Sequence, residues 1–280
     1  MTLATLKDVL QPALANGYAV AGVVCLGWED TRAYVEAAVE EQLPIILQAG
    51  PGCRAHTPLP VLASMFRYLA EQADVPVVVH LDHGYEIDEI RRALDCGFTS
   101  VMYDGSRKSL NQNIEETAEI AAIAHAVGAS CEGEIGFVGY AEGESSAFTS
   151  PEDAAKFATQ SGVDAMAISV GNVHLQKTGN GNINVDHLKA IELVTNIPLV
   201  IHGGSGVPAE QRAFLAATSH ICKYNIGTEL RMAFGKALRV AVNKDLQRFD
   251  RNAILKEIHE PLKMLTQNVI RNIGNAGVVK

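Results

Sequence analysis

The stretch Val77-Val78-Val79-His80-Leu81-Asp82-His83-Gly84-Tyr85 opens as a strand and ends as something else. Three β-branched residues after Pro76 suit a strand buried on both faces. Asp82 and His83 then stand side by side where the strand stops, and Gly84 lets the chain turn. A carboxylate and a metal-capable imidazole at a strand's C-terminal end fit a site, because a core has no use for them. A helix N-cap Asp beside an ordinary His fits the same two residues.

The pattern repeats on both sides. Strands are predicted over 18–25, 44–47, 75–81, 100–103, 129–135, 165–170, 198–201 and 221–226. Helices are predicted over 5–15, 30–41, 59–72, 86–95, 111–127, from Pro151 onward, and over 186–195, 208–217 and 229–242. Two more helical stretches, 251–266 and 267–273, close the chain. Eight strand–helix units without a composition break imply a parallel sheet. In this length they suit a single-domain (β/α)8 TIM barrel over residues 1–280 with extra C-terminal helices. An open, doubly wound sheet is the other arrangement the alternation permits. Two loops interrupt the rhythm. Residues 136–150 are rich in Gly, Glu and Ser, and at about fifteen residues they exceed an ordinary connection. Residues 175–184 are polar and rich in Gly and Asn.

The 280 residues are 48% hydrophobic and carry a net charge of −9. No basic block or aromatic–basic interleaving appears, which argues against nucleic acid as a partner. No run approaches the ~18 apolar residues of a membrane span. Lys7 and Asp8 interrupt any signal-like apolar stretch. Five cysteines in apolar runs, without CxxC spacing, read as reduced core residues of a cytoplasmic protein.

In a barrel, the loops after the strands gather at one end, where catalytic residues lie. Gly50, Asp82, His83, Asp104, Glu132, Glu134, His174, His202 and Asn225 all fall at such strand ends. Three imidazoles, His83, His174 and His202, around one metal would leave a fourth position for substrate. They are far apart in sequence, and spacing alone leaves open whether they meet. His80 reads as a satisfied core residue. His56, His125, His187, His220 and His259 read as solvated or structural. Gly203-Gly204-Ser205-Gly206, between a strand and a helix, suits a phosphate cradle, since small residues let backbone N–H groups approach oxygens. Asn225-Ile226-Gly227-Thr228 offers an amide and a hydroxyl beside another helix start, at the second of the barrel positions where phosphate commonly sits.

These residues resemble the class II, zinc-dependent ketose-bisphosphate aldolases, nearest the tagatose- and fructose-bisphosphate branches. The resemblance runs over nearly the whole chain. It rests on His80-Leu81-Asp82-His83, Ser100 to Ser106, Glu132-Gly133-Glu134-Ile135-Gly136, Gly162-Val163-Asp164-Ala165 with Ala167, Pro198 to Gly206, and Lys223 to Glu229. It implies a (β/α)8 barrel and reversible cleavage of a phosphorylated ketose to dihydroxyacetone phosphate and an aldehyde. By the same resemblance, His83, His174 and His202 match Zn2+ ligands, with a monovalent cation as an optional second ion. Asp82 matches the acid/base at the aldehyde oxygen. Glu142 matches a loop glutamate that moves the proton at the nucleophilic carbon. Asp104, Glu132 and Glu134 are the acids expected to support the metal site. Gly203, Gly204, Ser205, Asn225, Ile226, Gly227 and Thr228 match the segments that hold dihydroxyacetone phosphate. The resemblance also implies a homodimer or homotetramer acting on a small sugar phosphate. No Schiff-base lysine is needed, so Lys223 reads as structural or anion-facing.

The chain departs from the family pattern at Val24, Gly50, Gly139-Tyr140 and Leu175, and its catalytic loop is shorter. The family has Asn in place of Val24, Ser or Thr in place of Gly50, and Gly in place of Leu175. Those changes touch the substrate rim rather than the metal or acid/base positions. They keep two other readings in view: the same chemistry on a different or unphosphorylated ketose, and a non-catalytic barrel that binds sugar phosphate.

Overall fold

The computed structural model describes residues 2–178 and 181–274. Part of the predicted 175–184 loop, and the last residues of the 1–280 span, lie outside the described residues. In chain order the elements are β1 (Leu3–Ala4), α1 (Leu6–Asn16), β2 (Val20–Val24), α2 (Trp28–Glu41), β3 (Ile45–Ala49), α3 (Pro51–His56), α4 (Leu59–Gln72) and β4 (Val77–Gly84). They continue as α5 (Ile87–Asp95), β5 (Ser100–Tyr103), α6 (Leu110–Ala126), β6 (Ser130–Ile135), α7 (Pro151–Gln160), β7 (Ala165–Ile168) and α8 (Val185–Glu192). Last come β8 (Leu199–Ile201), α9 (Ala209–Thr218), β9 (Ile221–Ile226), α10 (Thr228–Asn243) and α11 (Arg251–Gly274).

Strands β2 to β9 pair in sequence order, every pair parallel, and β2 closes on β9 through Val20↔Lys223 to Val23↔Ile226. This is the closed eight-stranded barrel, not the open sheet. Helix α1 plugs its lower end. The α1 residues Leu6, Val9, Leu10 and Ala13 pack on Val20, Ile46, Val78 and Val200 inside the barrel. A larger apolar layer lies between the strands and the surrounding helices. Two residues on from Ile46, Val78 and Val200, the inward positions turn polar as Gln48, His80 and His202, and Glu132 of β6 joins them. The period of two carries this change, since alternate residues face the same way.

Local chemistry explains the joints. Thr5 caps α1 in a reciprocal box with Asp8, and Gly17, left-handed at φ 67°, ends it. Ser150 caps α7, with Pro151 at its first position.

The structure differs from the predicted elements in three places. β1 and α3 were not expected. β1 is only two residues long, and α3 lies in a Gly/Pro-rich stretch that reads as a loop. The two closing helical stretches are one helix, α11, because Ile258, Leu262, Thr266, Val269, Ile270 and Ile273 form one buried face through the expected break. That helix packs on β2 and on α2, α9 and α10, and Ala19 N–H donates to Ile273 O at 3.0 Å. No described helix is long and apolar enough to cross a membrane.

Candidate active site

Strict alternation along β4 would send Asp82 inward and His83 outward. Instead the pairing of β4 with β5 shifts between Leu81 and Gly84, and His83 takes a left-handed backbone at φ 52°. Such a conformation is costly for a non-glycine residue and persists only where the surroundings over-determine it. Here the agent is Arg54 on α3. Its guanidinium donates to Ala49 O, to Asp82 O at 2.6 Å and to His83 O at 3.0 Å, while Glu89 pairs with it at 2.8 Å. Both Asp82 and His83 therefore reach the mouth.

There His83, His174 and His202 come together. Their ring centroids are 4.7 Å (His83–His202), 5.5 Å (His83–His174) and 5.7 Å (His174–His202) apart. One ring nitrogen of each lies within 4.8 Å of the others, and His83, Asp104 and Glu134 form an overlapping group of the same kind. His83 Nδ1 donates to Asp104 Oδ2 at 2.8 Å, and His202 Nε2 to Glu132 Oε1 at 3.2 Å. Carboxylates thus hold one nitrogen of the His83 and His202 rings, the usual arrangement around a metal-binding imidazole.

The free atoms test the fit of a cation. His202 Nδ1 and Glu134 Oε2 are buried and 3.1 Å apart, yet neither has a properly aligned hydrogen bond. Unpartnered buried polar atoms each cost about 1–3 kcal/mol, and a cation between them would satisfy both. The donor set of imidazoles with nearby carboxylates suits Zn2+. Burial and the neighbouring His202 and His83 push His174 down to about 3. Burial opposes a charge on His202, but Glu134 and Glu132 outweigh it and raise the group to about 10.

Beneath the histidines lies a buried polar layer. Lys223 and Glu132 are both wholly buried and paired at 2.6 Å. Lys223 Nζ also donates to His80 Nε2 at 3.4 Å, which leaves His80 Nδ1–H for Ser100 Oγ at 2.8 Å. Lys223 is therefore a buried structural cation, and His80 is a satisfied core residue. Burial and the Lys223 charge hold His80 neutral, with its pKa lowered to about 3.

Asp82 is bracketed from one side. Gln48 Nε2 and Asn225 Nδ2 both donate to its Oδ1, at 3.1 and 3.2 Å. Its Oδ2 faces the open space over Gly50, where a Cβ would lie only 3.3 Å away. Burial works against the Asp82 charge, yet His83, His202 and Lys223 keep the carboxyl below its ordinary range. It is an ionised base with one free oxygen.

The Gly203–Ser205 and Gly227–Thr228 segments meet at the rim. Gly203 is left-handed at φ 68°, and a Cβ there would collide with Val173 O at 2.2 Å. Ser205 Oγ accepts from Gly227 N–H at 3.2 Å and Glu229 N–H at 3.3 Å, which joins the cradle to the start of α10. Gly204 and Ile226 are buried behind this surface.

Other expected residues stand apart. Glu142 is 87% exposed on the 136–150 loop, 3.5 Å from Lys177, outside the cleft that Asp82, His83, His174, Ser205, Asn225 and Thr228 line. Tyr140 of the same loop stacks on His174. Leu175 occupies a left-handed backbone at φ 59° and lines the cleft. Sequence reading missed Gln48, Arg54 and Asn172. Asn172 ties two strand ends by donating to Ile168 O and His202 O. Gln48 was discoverable, since it occupies the same inward layer as His80, its register partner.

An eight-stranded α/β barrel that gathers three histidines and an ionised carboxylate at the C-terminal ends of its strands has the layout of a TIM-barrel enzyme, with imidazoles that could hold a metal ion. The family model described as fructose-bisphosphate aldolase class-II matches residues 4–278. The chain belongs to that family, and it is accordingly a lyase of the aldolase type. The fructose-bisphosphate aldolase of Geobacillus stearothermophilus is 34% identical over 286 residues, covering 99% of each chain. That of Staphylococcus aureus is 32% identical over 289 residues, covering 100% of each. Among solved structures, the YdjI aldolase of Escherichia coli K12 superposes with a TM-score of 0.85 at 28% identity, covering 99% of this chain and 100% of that one.

Proposed function

We propose that this barrel reversibly cleaves a phosphorylated ketose to dihydroxyacetone phosphate and an aldehyde, with Zn2+ held by His83, His174 and His202. The bound ion would act as a Lewis acid on the ketose carbonyl. Asp82 Oδ2 takes the hydroxyl proton from the carbon that becomes the aldehyde. The adjoining carbon–carbon bond breaks, and its electron pair stays with the dihydroxyacetone phosphate fragment. Glu142 returns a proton to that carbon after its loop closes over the site. Gly203, Ser205, Asn225, Gly227 and Thr228 hold the phosphate end, while Asp104, Glu132 and Glu134 orient the histidines. We read the protein as one catalytic domain, working in the cytoplasm as a homodimer or homotetramer. The five free cysteines fit a reducing compartment.

One observation carries this reading: Asp82 has one oxygen fixed by two amides and the other open beside three imidazoles. Asp82→Ala tests it. The variant is expected to keep its zinc content and lose about 10²–10⁴-fold in turnover of a ketose bisphosphate. Full turnover would remove Asp82 from the mechanism, and a non-catalytic barrel would show no turnover to lose.

A further inference from the structure

Two of the three imidazoles are held by carboxylates, His83 by Asp104 and His202 by Glu132. His174 is not. Among the described residues its hydrogen bonds are those of its backbone, and no side chain holds a ring nitrogen. Its ring is covered instead by Tyr140, with centroids 5.1 Å apart and planes inclined at 30°. We propose that Tyr140 is the positioning residue of this third imidazole, and that it couples filling of the histidine site to the order of the loop arm that carries Glu142. This rests on the reading of His83, His174 and His202 as a zinc site.

The backbone sets up the contact. Within the 136–150 loop, Phe137 and Ala147 exchange both of their main-chain hydrogen bonds, each at 2.8 Å, and so close a small hairpin. Its first arm runs parallel to the segment after β7. His174 N–H donates to Gly139 O at 2.8 Å, and Ala141 N–H donates to His174 O at 3.0 Å, which pairs Tyr140 with His174 in register. Residues paired in this way project to the same side, so the main chain itself aims the phenol ring at the imidazole. Ser146 Oγ ties the second arm to the same segment, accepting from Gly139 N–H at 3.0 Å and donating to Asn172 O at 3.3 Å. Asn172 in turn donates to His202 O at 3.0 Å. The hairpin is thus anchored to the strand ends that bear two of the three imidazoles.

Two departures from the family pattern meet at this point. Tyr140 and Leu175, the residue after His174, both border the cleft and both border the hollow under the loop tip. An imidazole already held in plane gives up less freedom when an ion binds. The coupling is reciprocal, because steadying the ring also steadies what is stacked on it. Glu142 follows directly on Ala141, whose N–H is bonded to His174. It therefore swings from the end of the arm that zinc would steady.

Zinc affinity is measured by competition with a chromogenic chelator for the parent, Tyr140→Ala, Tyr140→Phe and His174→Ala. Tyr140 is 42% exposed on a surface loop, so its variants should fold. Tyr140→Ala is expected to weaken zinc binding about tenfold, the lower end of what losing a ligand-orienting partner costs. Tyr140→Phe keeps the stacking face and is expected to stay within about twofold of the parent. Hydrogen exchange read by mass spectrometry supplies a second readout. Zinc should slow exchange in the loop of the parent and of Tyr140→Phe, and do so far less in Tyr140→Ala. Parent-like affinity in Tyr140→Ala, a Phe variant as weak as the Ala variant, or parent loop exchange indifferent to zinc would each overturn the role of Tyr140. His174→Ala separates that failure from failure of the site. If it loses zinc while Tyr140→Ala does not, only the role of Tyr140 falls. If it binds zinc like the parent, or the parent takes up none, the zinc reading falls as well.

Discussion

Lys223→Met keeps most of the side chain's length and removes its charge. The ammonium lies 2.6 Å from Glu132 Oε2, with both side chains wholly buried. At an effective dielectric constant near 20, that separation corresponds to a gross attraction of about 6 kcal/mol. Desolvation of two ions offsets much of it, so the pair's net worth is small. Removing one partner is different, because the carboxylate stays behind without its cation. The expected cost is about 3–5 kcal/mol, or a fall in Tm of about 6–10 °C for a chain of this size. The assay is a thermal melt at pH 7 in the presence of a chelator, so that bound metal does not add its own stabilisation. Combining Lys223→Met with Glu132→Gln should restore part of the loss, since the two sites are coupled. A Tm within about 2 °C of the parent would refute the claim that this buried charge depends on its lysine.

Three further outcomes are expected. Gln48→Leu strips one of two amides from Asp82 and should lower kcat by about ten- to hundredfold with zinc content unchanged; parent-like kcat would show that the bracket is dispensable. Leu175→Gly relieves a left-handed leucine worth about 1–2 kcal/mol against a glycine entropy cost of about 0.5–1 kcal/mol. It should therefore stabilise the protein slightly in a denaturant titration, and destabilisation would contradict the strain argument. The neutral, buried His80 has its folded pKa lowered to about 3, against an unfolded value near 6.5. Its contribution to stability is present above pH 6.5 and lost as pH falls towards 3. His80→Gln should flatten that part of the stability–pH curve, and an unchanged slope would assign the acid lability to other groups.

The barrel was legible because most of its strands repeat one message: apolar residues, then abrupt polarity at the C-terminal end. Asp82, His83, Glu132, Glu134 and His202 announced themselves that way. Gln48 and Lys223 carried the same signal more faintly, as polar residues inside otherwise apolar strands. The left-handed turn at His83 was not readable, because it depends on Arg54, which reaches three carbonyls from a helix that looks like a loop. Nor was the position of Glu142, since a Gly/Glu/Ser-rich segment has no period from which to derive an orientation. The helix α11 read as two pieces because no single residue there marks continuity. Only the face running from Ile258 to Ile273 does so.

The seam of the barrel has a consequence for how the protein is made. β2 is the first strand of the closed barrel in chain order and its partner β9 is the last of the eight, followed later in the chain by α11, which packs on β2. Pairing across such a separation is slow, because the loop must be closed before any contact rewards it. Until the final helix emerges, the nascent chain holds an unzipped sheet edge with apolar flanks, the kind of surface that aggregates or recruits a chaperone. A stop codon ahead of α11 would therefore leave the apolar outer flank of β2 uncovered, although every residue of the catalytic mouth has already been synthesised.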